Sequence, residues 1–308
     1  MNGVVVSVLV PAKDEAENLP EFVRQCAEAL PAIGVGYEVV IVDDGSSDDT
    51  PAVLEALQRE HRWLRSVRHR RQRGIADALR SAGDAAHGDV FVFYPADLQY
   101  RPEDIPRLVA PILAGEADIV TGTKQGKYEK AFVSTVYNTL CRWLFGVRVT
   151  DLNSVKAYRR TVMANVPLRP DWHRFMVVIA AAEGHRLTST PVPLHPRTAG
   201  RSKFTWTRIP IGVLDLLSVW FQLRFGRKPM LFFGLAGALL FLVGFLAGTV
   251  AVVLRFAIRA DVALLVSLVQ TLLVLGVTLF GFGFVGELVA GMREEQRELA
   301  RRLDGDRD

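Results

Sequence analysis

The stretch Val90-Phe-Val-Phe-Tyr-Pro-Ala-Asp-Leu-Gln99 decides how the chain is read. Its first five residues form a short, β-branched and aromatic run, which predicts a buried strand over Val90–Tyr94. Pro95 has no amide proton to give a strand ladder, so the strand is expected to stop there. Asp97 and Gln99 then follow a strand's carboxyl end, where open α/β sheets hold their ligands.

The same pattern repeats on both sides of this stretch. Val4–Val10 reads as a strand ended by Pro11, and helical spacing follows through Leu19, Phe22, Val23, Cys26 and Leu30. Glu38–Val42 is a second strand running into Asp43-Asp44-Gly45-Ser46-Ser47-Asp48-Asp49-Thr50-Pro51. Thr50 is expected to cap the next helix, with Pro51 at its first position and Asp48 and Asp49 as turn acids. Leu64–Val67 and Asp118–Gly122 are further strands, and Gly74–Ala86 and Pro102–Leu113 further helices. Alternating strands and helices predict a mainly parallel sheet covered on both faces. Residues 128–145 carry a helical apolar face through Phe132, Val136, Leu140 and Leu144. The region 150–203 is mixed and ends in a proline- and glycine-rich loop over 191–203.

The apolar content is unevenly spread. The chain has 308 residues, 50% of them hydrophobic, and a mean hydropathy of +0.20, yet 230–290 is almost devoid of charge. Met230–Leu254 would span roughly 37 Å as a helix at about 1.5 Å per residue, enough to cross a bilayer. Val262–Val285 is a second such run, giving a two-helix transmembrane hairpin. The connecting loop holds Arg255, Arg259 and Asp261, whereas Arg224, Arg227, Lys228, Arg293, Arg297, Arg301 and Arg302 lie on the other side. That asymmetry places both termini in the cytoplasm. Glu287 reads as an interfacial or capping acid, and Gly281, Gly283 and Gly286 allow close helix approach, which permits without demanding a homo-oligomer through the membrane helices. Ile209–Phe225, with Trp220 and flanking Arg208, Arg224, Arg227 and Lys228, suits a helix lying in the headgroup layer. The expected partition is a soluble domain over 1–205, a juxtamembrane helix over 206–228, and two spans within 229–290 (about 230–254 and 262–287). A charged tail over 291–308, helical or disordered, completes the chain.

The net charge of +4 and pI of about 9.2, with arginines beside the apolar runs and clustered over 68–73, point to anionic lipid or phosphate partners rather than nucleic acid. Cys26 and Cys141 lie far apart in helix-like stretches, without metal or redox spacing, and read as buried thiols. Met1–Val10 lacks the basic start of a signal peptide, so the soluble part is expected to stay in the cytoplasm, at the inner membrane.

Three acidic features follow strands of this sheet: Glu15 the first, Asp43 and Asp44 the second, Asp97 and Gln99 the fourth. Strand carboxyl ends would bring them to one crevice. Carboxylate and amide oxygens ligate Mg²⁺ or Mn²⁺, ions that usually bridge to substrate phosphates.

Val10-Pro-Ala-Lys-Asp-Glu15, Val42-Asp-Asp-Gly-Ser46, Ala96-Asp-Leu-Gln99 and Pro196-Arg-Thr-Ala-Gly-Arg-Ser-Lys-Phe204 resemble, in order, the motifs of family 2 glycosyltransferases. The most similar group is the polyprenyl-phosphate glycosyltransferases, and the likeness covers about residues 4–225. It implies a GT-A, Rossmann-like domain that inverts configuration as it moves a sugar from a UDP- or GDP-linked donor to a polyprenyl phosphate, with Mg²⁺ or Mn²⁺. Pro11, Lys13, Glu15, Val42, Asp44, Ala96, Asp97 and His173 would line the donor pocket, and Asp97 and Gln99 would hold the metal. Lys124, Lys130 and Ser134 would meet the acceptor phosphate; Lys124, Arg197 and Lys203 would join Asp97 in catalysis. Asp151, in Thr150-Asp-Leu-Asn-Ser-Val-Lys156, matches a family acid near the site. The chain departs from the pattern at Pro95, where members usually carry a first aspartate, and at Lys124, where arginine is frequent. Two alternatives are a processive polysaccharide synthase, for which the Gln-x-x-Arg-Trp motif is absent around Arg142-Trp143, and a catalytically weak, family-like membrane protein that binds nucleotide or assembles with a transferase.

Overall fold

Val6–Ala12 (β1) is flanked on both sides by parallel neighbours, Tyr37–Asp43 (β2) and Val90–Phe93 (β4). These strands belong to a computed structural model that describes every residue except 1–2, 126–130, 148–150, 153, 167–168, 170–171, 197–207, 260 and 306–308. With Leu64–Arg68 (β3), Ile119–Gln125 (β5), Lys156–Arg159 (β6) and Leu187–Pro193 (β7), they form a seven-stranded sheet in the order β3-β2-β1-β4-β6-β5-β7. Strand β6 is antiparallel to both neighbours and the remaining pairs are parallel.

Helices fill the crossovers: Leu19–Ala29 (α1), Thr50–Glu60 (α2), Ile75–Ala85 (α3), Ile105–Leu113 (α4), Ala131–Phe145 (α5), Arg160–Asn165 (α6) and Met176–Ala182 (α7). Val6, Val8 and Val10 of β1 pack in one core with Leu19, Phe22, Val23 and Cys26 of α1 and Ile105, Leu108 and Ile112 of α4. On the other face α3 lies against β1 and β2, with Ala78, Leu79 and Ala82 buried. Burial on both faces explains why these strands read as continuous apolar runs. Cys26 and Cys141 are free and buried.

Two local expectations are corrected. Pro11 does not end β1, which runs on to Ala12. Leu9 bonds toward β4 (Tyr94 N–H to Leu9 O, 3.1 Å) and Ala12 toward β2 (Asp44 N–H to Ala12 O, 2.8 Å). Alternation along the strand therefore turns the Pro11 nitrogen to the β4 side, past the last β4 pair, Leu9 with Phe93. Thr50 is the first helical residue, not the cap; Asp49 takes the cap position without a side-chain bond. The Thr50 hydroxyl instead accepts from the Glu15 N–H at 2.9 Å.

Contacts divide the chain into two units, Met1–Leu216 and Leu217–Asp308. Arg208–Phe225 (α8) crosses that division; Leu216 and Val219 are buried, whereas Ile211, Leu214 and Leu217 are exposed. In the second unit Pro229–Ile258 (α9) and Ala263–Gly305 (α10) form a hairpin. Pro229–Ile258 and Ala263–Gln296 are long and apolar enough to cross a membrane, by length and composition. Helix α10 continues past the second apolar run through the charged tail to Gly305, the helical form of the two expected there. The helices touch through glycines: a Cβ on Gly237 would lie 2.6 Å from the Gly276 carbonyl oxygen, and one on Gly286 2.6 Å from the Pro229 Cβ. Gly283 likewise faces Met230, whereas Gly281 faces open space. Glu287 is a cap, its carboxylate accepting from the Met230 N–H at the start of α9 at 3.2 Å.

At the far edge, Asp118 ties three strands together. It accepts from the Arg186 N–H at 2.9 Å before β7, and from the Arg186 and Arg159 guanidinium groups. The Arg186 side chain and N–H hold the Asp118 carboxyl well below the usual carboxylate range. A lowered pKa means that this stabilisation is present above the unfolded value and lost as pH falls through the folded one. Asp118→Ala is therefore expected to cost about 1–3 kcal/mol at neutral pH and to lower the melting temperature of the first unit. The gap to the unsubstituted protein should close in acid, as read by melting curves across pH.

Candidate active site

The loops after β1 and β2 are interlocked. The Lys13 ammonium donates to the Gly45 carbonyl at 3.0 Å, and the Asp14 N–H to the Ser46 hydroxyl at 2.9 Å. Asp14 in turn accepts from the Ser47 N–H at 2.8 Å, and Asp48 accepts from the Ala16 N–H at 3.2 Å. Asp14 adopts φ +54°, a left-handed conformation that this cage of bonds holds in place. The Ser47 amide, joined by Lys13, keeps its carboxyl below the usual range. Glu15, on the same turn, accepts from the Asn18 amide at 2.7 Å.

Asp44 is the anchor of a third loop. Its Oδ1 accepts from the Arg73 N–H and meets His69 Nδ1, both at 2.8 Å, and its Oδ2 accepts from the Gly74 N–H at 2.8 Å. Burial pulls the Asp44 carboxyl upward, but His69 and the two amides outweigh it and hold it below its ordinary value. The basic segment over 68–73 is thereby pinned beside β2. Gly45 admits that approach: at φ +70°, its Cβ would stand 2.6 Å from the Arg71 carbonyl carbon. Asp43 accepts from the Ser46 N–H at 2.8 Å and faces Arg68 at 3.3 Å.

The bend after β4 is held from both ends. Tyr94 is fully buried, and its hydroxyl donates to the Arg101 carbonyl at 2.6 Å, closing the loop between them. Inside it Leu98 has φ +57° with its side chain buried at 4% exposure, so an anchored apolar group holds a left-handed residue between Asp97 and Gln99. The Gln99 N–H donates to Asp97 Oδ1 at 3.3 Å, and the Gln99 carbonyl accepts from the His195 N–H, past β7, at 2.9 Å. His195 Nε2 is buried and has no hydrogen-bond partner among the described residues.

Beyond β4 the chemistry is cationic. Lys124, near the carboxyl end of β5, pairs with Asp151 at 3.0 Å. Lys156 is buried in β6 and donates to the Leu152 and Ser154 carbonyls, each at 2.8 Å. Burial pushes its ammonium down to about 7, with Asp151 opposing the shift. His173 lies edge-on to Phe93, with ring centroids 6.1 Å apart; burial, aided by Lys156 and Arg174, pushes it down to about 3. It is therefore neutral near pH 7, and its Nδ1 has no hydrogen-bond partner among the described residues.

The sheet thus brings Pro11, Lys13, Glu15, Val42, Asp44, Ala96, Asp97 and Gln99 to the adjacent carboxyl ends of β1, β2 and β4. Val42 and Ala96 are buried. Lys130, Arg197 and Lys203 fall outside the described residues, and of Ser134 only its place on α5 is described. Among the described residues no group of three His, Cys, Asp or Glu side chains is arranged to hold a metal. The residues that sequence reasoning missed are His195 and Lys156. His195 stood unread beside the arginine-lysine loop motif; Lys156 lies in a polar run with no sign of burial.

Residues 7–158 match the family model described as glycosyl transferase family 2. The undecaprenyl-phosphate 4-deoxy-4-formamido-L-arabinose transferase of Klebsiella pneumoniae is 29% identical over 304 residues, covering 96% of this chain and 91% of that protein. Its Salmonella paratyphi B counterpart is 28% identical over 306 residues, with the same coverage. Among solved structures, glucosyl-3-phosphoglycerate synthase from Mycobacterium tuberculosis, in complex with Mn²⁺, UDP and phosphoglyceric acid, superposes with a TM-score of 0.58 at 19% identity. That match covers 71% of this chain and 78% of the synthase, and it shows the GT-A fold. From β1 into β6, residues 7–158, with their loops at the carboxyl ends of one Rossmann-like sheet, are thus a family 2 glycosyltransferase domain.

Proposed function

We propose that the protein transfers a sugar from a nucleotide-sugar donor to a polyprenyl phosphate, with inversion at the anomeric carbon, releasing the nucleoside diphosphate. The observation that carries this reading is the near end-to-end likeness to transferases named for undecaprenyl phosphate, in a chain that joins the α/β site to two apolar helices. A lipid acceptor gives those helices a purpose: they would anchor the chain in the membrane that holds it, with both termini cytoplasmic by the placement of arginines. The exposed apolar face of α8 suits the headgroup layer.

A polyprenyl phosphate is anionic at neutral pH and attacks the anomeric carbon without a strong general base. The protein's task is to position the reactants and neutralise the leaving diphosphate. Asp97 and the Gln99 amide supply oxygen donors for a hard divalent cation that keeps water or phosphate ligands, and the His195 segment, whose N–H bonds to the Gln99 backbone, would add its unpartnered ring nitrogen. They would hold Mg²⁺ or Mn²⁺, which supplies positive charge to the diphosphate. Pro95 leaves this set one carboxylate short of the usual family pattern. Pro11, Lys13, Glu15 and Val42 would line the nucleotide pocket, with Asp44 shaping it by fixing the loop over 69–74. Lys124, with Lys130 and Ser134, would receive the acceptor phosphate, and Arg197 and Lys203 would close over the nucleotide. His173, held neutral, would contribute shape and not charge.

Full-length protein, incubated with undecaprenyl phosphate, Mn²⁺ and a panel of UDP- and GDP-sugars, is expected to form one glycolipid by mass spectrometry, with matching nucleotide release. Nucleotide binding without glycolipid from any donor would favour the catalytically weak reading instead. Removing a ligand costs at least the roughly 10–100-fold seen for outer-shell partners, so Asp97→Ala and His195→Ala should each weaken Mn²⁺ binding by that much, read by electron paramagnetic resonance. Unchanged Mn²⁺ affinity in either variant would remove that residue from the metal set.

A further inference from the structure

We propose that Lys156 is a positioning residue, holding the Leu152 and Ser154 carbonyls so that Asp151, next to Leu152, keeps Lys124 at the carboxyl end of β5. The proposal rests on the reading that Lys124 meets the acceptor phosphate. Lys156 is 1% exposed, and no carboxylate among the described residues lies within ion-pair distance of it. A buried ammonium is costly, and an apolar side chain of similar size would ordinarily fill the space at lower cost. What Lys156 does instead is satisfy two carbonyls, Leu152 and Ser154, of the segment that leads into β6. Its Nζ lies 5.7 Å from the centroid of the Phe93 ring, a contact that favours the cation.

The segment it secures touches the site on two further sides. The Ser154 hydroxyl meets the Tyr100 hydroxyl at 3.4 Å, next to Gln99. On β5, a Cβ at Gly122 would lie 2.8 Å from both Ser154 Oγ and Val155 Cγ2, so the segment sits directly on the strand two residues before Lys124. From that platform Asp151 reaches Lys124 Nζ with both oxygens, at 3.0 and 3.4 Å. Lys124 is only 15% exposed, and the Asp151 carboxylate holds the end of its long flexible stem. The path from Lys156 through two carbonyls to Asp151 and then Lys124 is continuous. Burial pushes the Lys156 ammonium down to about 7, with Asp151, Lys124, Arg174 and the neutral His173 as the titratable groups around it.

The test uses full-length protein in detergent micelles, with Lys156→Met, Lys124→Met and the double variant. Lys156→Met is expected to lower kcat/KM for undecaprenyl phosphate about tenfold while the donor KM stays within about twofold, as for removal of an outer-shell support. The double variant should be no worse than Lys124→Met alone, because both changes break one path. Reductive methylation followed by peptide mass spectrometry should find Lys124 modified several-fold faster in Lys156→Met. Unchanged acceptor kinetics, multiplying losses in the double variant, or an unchanged Lys124 methylation rate would each overturn the proposal. Should Lys156→Met fail to fold, Asp151→Asn cuts the same path one link further on and faces the same three criteria. A parent protein that forms no glycolipid overturns the transferase reading, while the methylation rate still decides whether Lys156 positions Lys124.

Discussion

The parallel pairing of β1 with β2 on one side and β4 on the other is the constraint from which the site follows. Parallel strands deliver all their carboxyl ends to the same edge, and loops there need not cross the sheet to meet. The bond from the Asp44 N–H to the Ala12 carbonyl, and that from the Tyr94 N–H to the Leu9 carbonyl, carry the ladder to the point where the three loops leave it. Glu15, Asp44 and Asp97 are distant in sequence and neighbours at this edge because the ladder runs in register. The core beneath, Val6, Val8 and Val10 against Phe22 and Leu108, makes slippage of that register expensive.

Above the ladder, polar groups are largely used to hold one another. Asp44 engages His69 and two backbone amides, Asp14 two groups of Ser47, and Lys13 the Gly45 carbonyl. Loops fixed in this way before a ligand arrives lose little freedom on binding it. The left-handed residues Asp14 and Leu98 lie within this frame, each held by neighbours that outweigh the strain.

The hairpin solves a different problem. Helices α9 and α10, long and apolar enough to cross a membrane, approach by backbone proximity at Gly237, Gly276 and Gly286, the mode that serves where apolar side chains gain little by leaving lipid for each other. Glu287 satisfies an amide at the start of α9 that the helix itself cannot bond. The small residues that sequence reading offered to a second copy are, for Gly283 and Gly286, occupied within the hairpin.

The first five strands, their alternation with helices, the two apolar runs and the acidic features after β1, β2 and β4 were legible by themselves, because periodicity, breaker residues and uncharged length are local properties of a chain. What lay beyond local reach depended on partners far along it. Pro11 continues a strand because its nitrogen faces the side where β4 has already ended. Thr50 gives its hydroxyl to the Glu15 amide instead of its own helix. Lys156-Ala-Tyr-Arg159 is a strand only because β4 and β5 leave a gap that an antiparallel segment fills. His195 acquires meaning from the Gln99 carbonyl that receives its N–H, and Lys156 from two carbonyls of a turn that no sequence pattern marks. Residue types and their order therefore determined the fold class and the family. The tertiary structure alone decided which polar groups are spent on holding the frame and which remain for a ligand, since satisfaction of a buried donor or acceptor is a property of the groups brought against it.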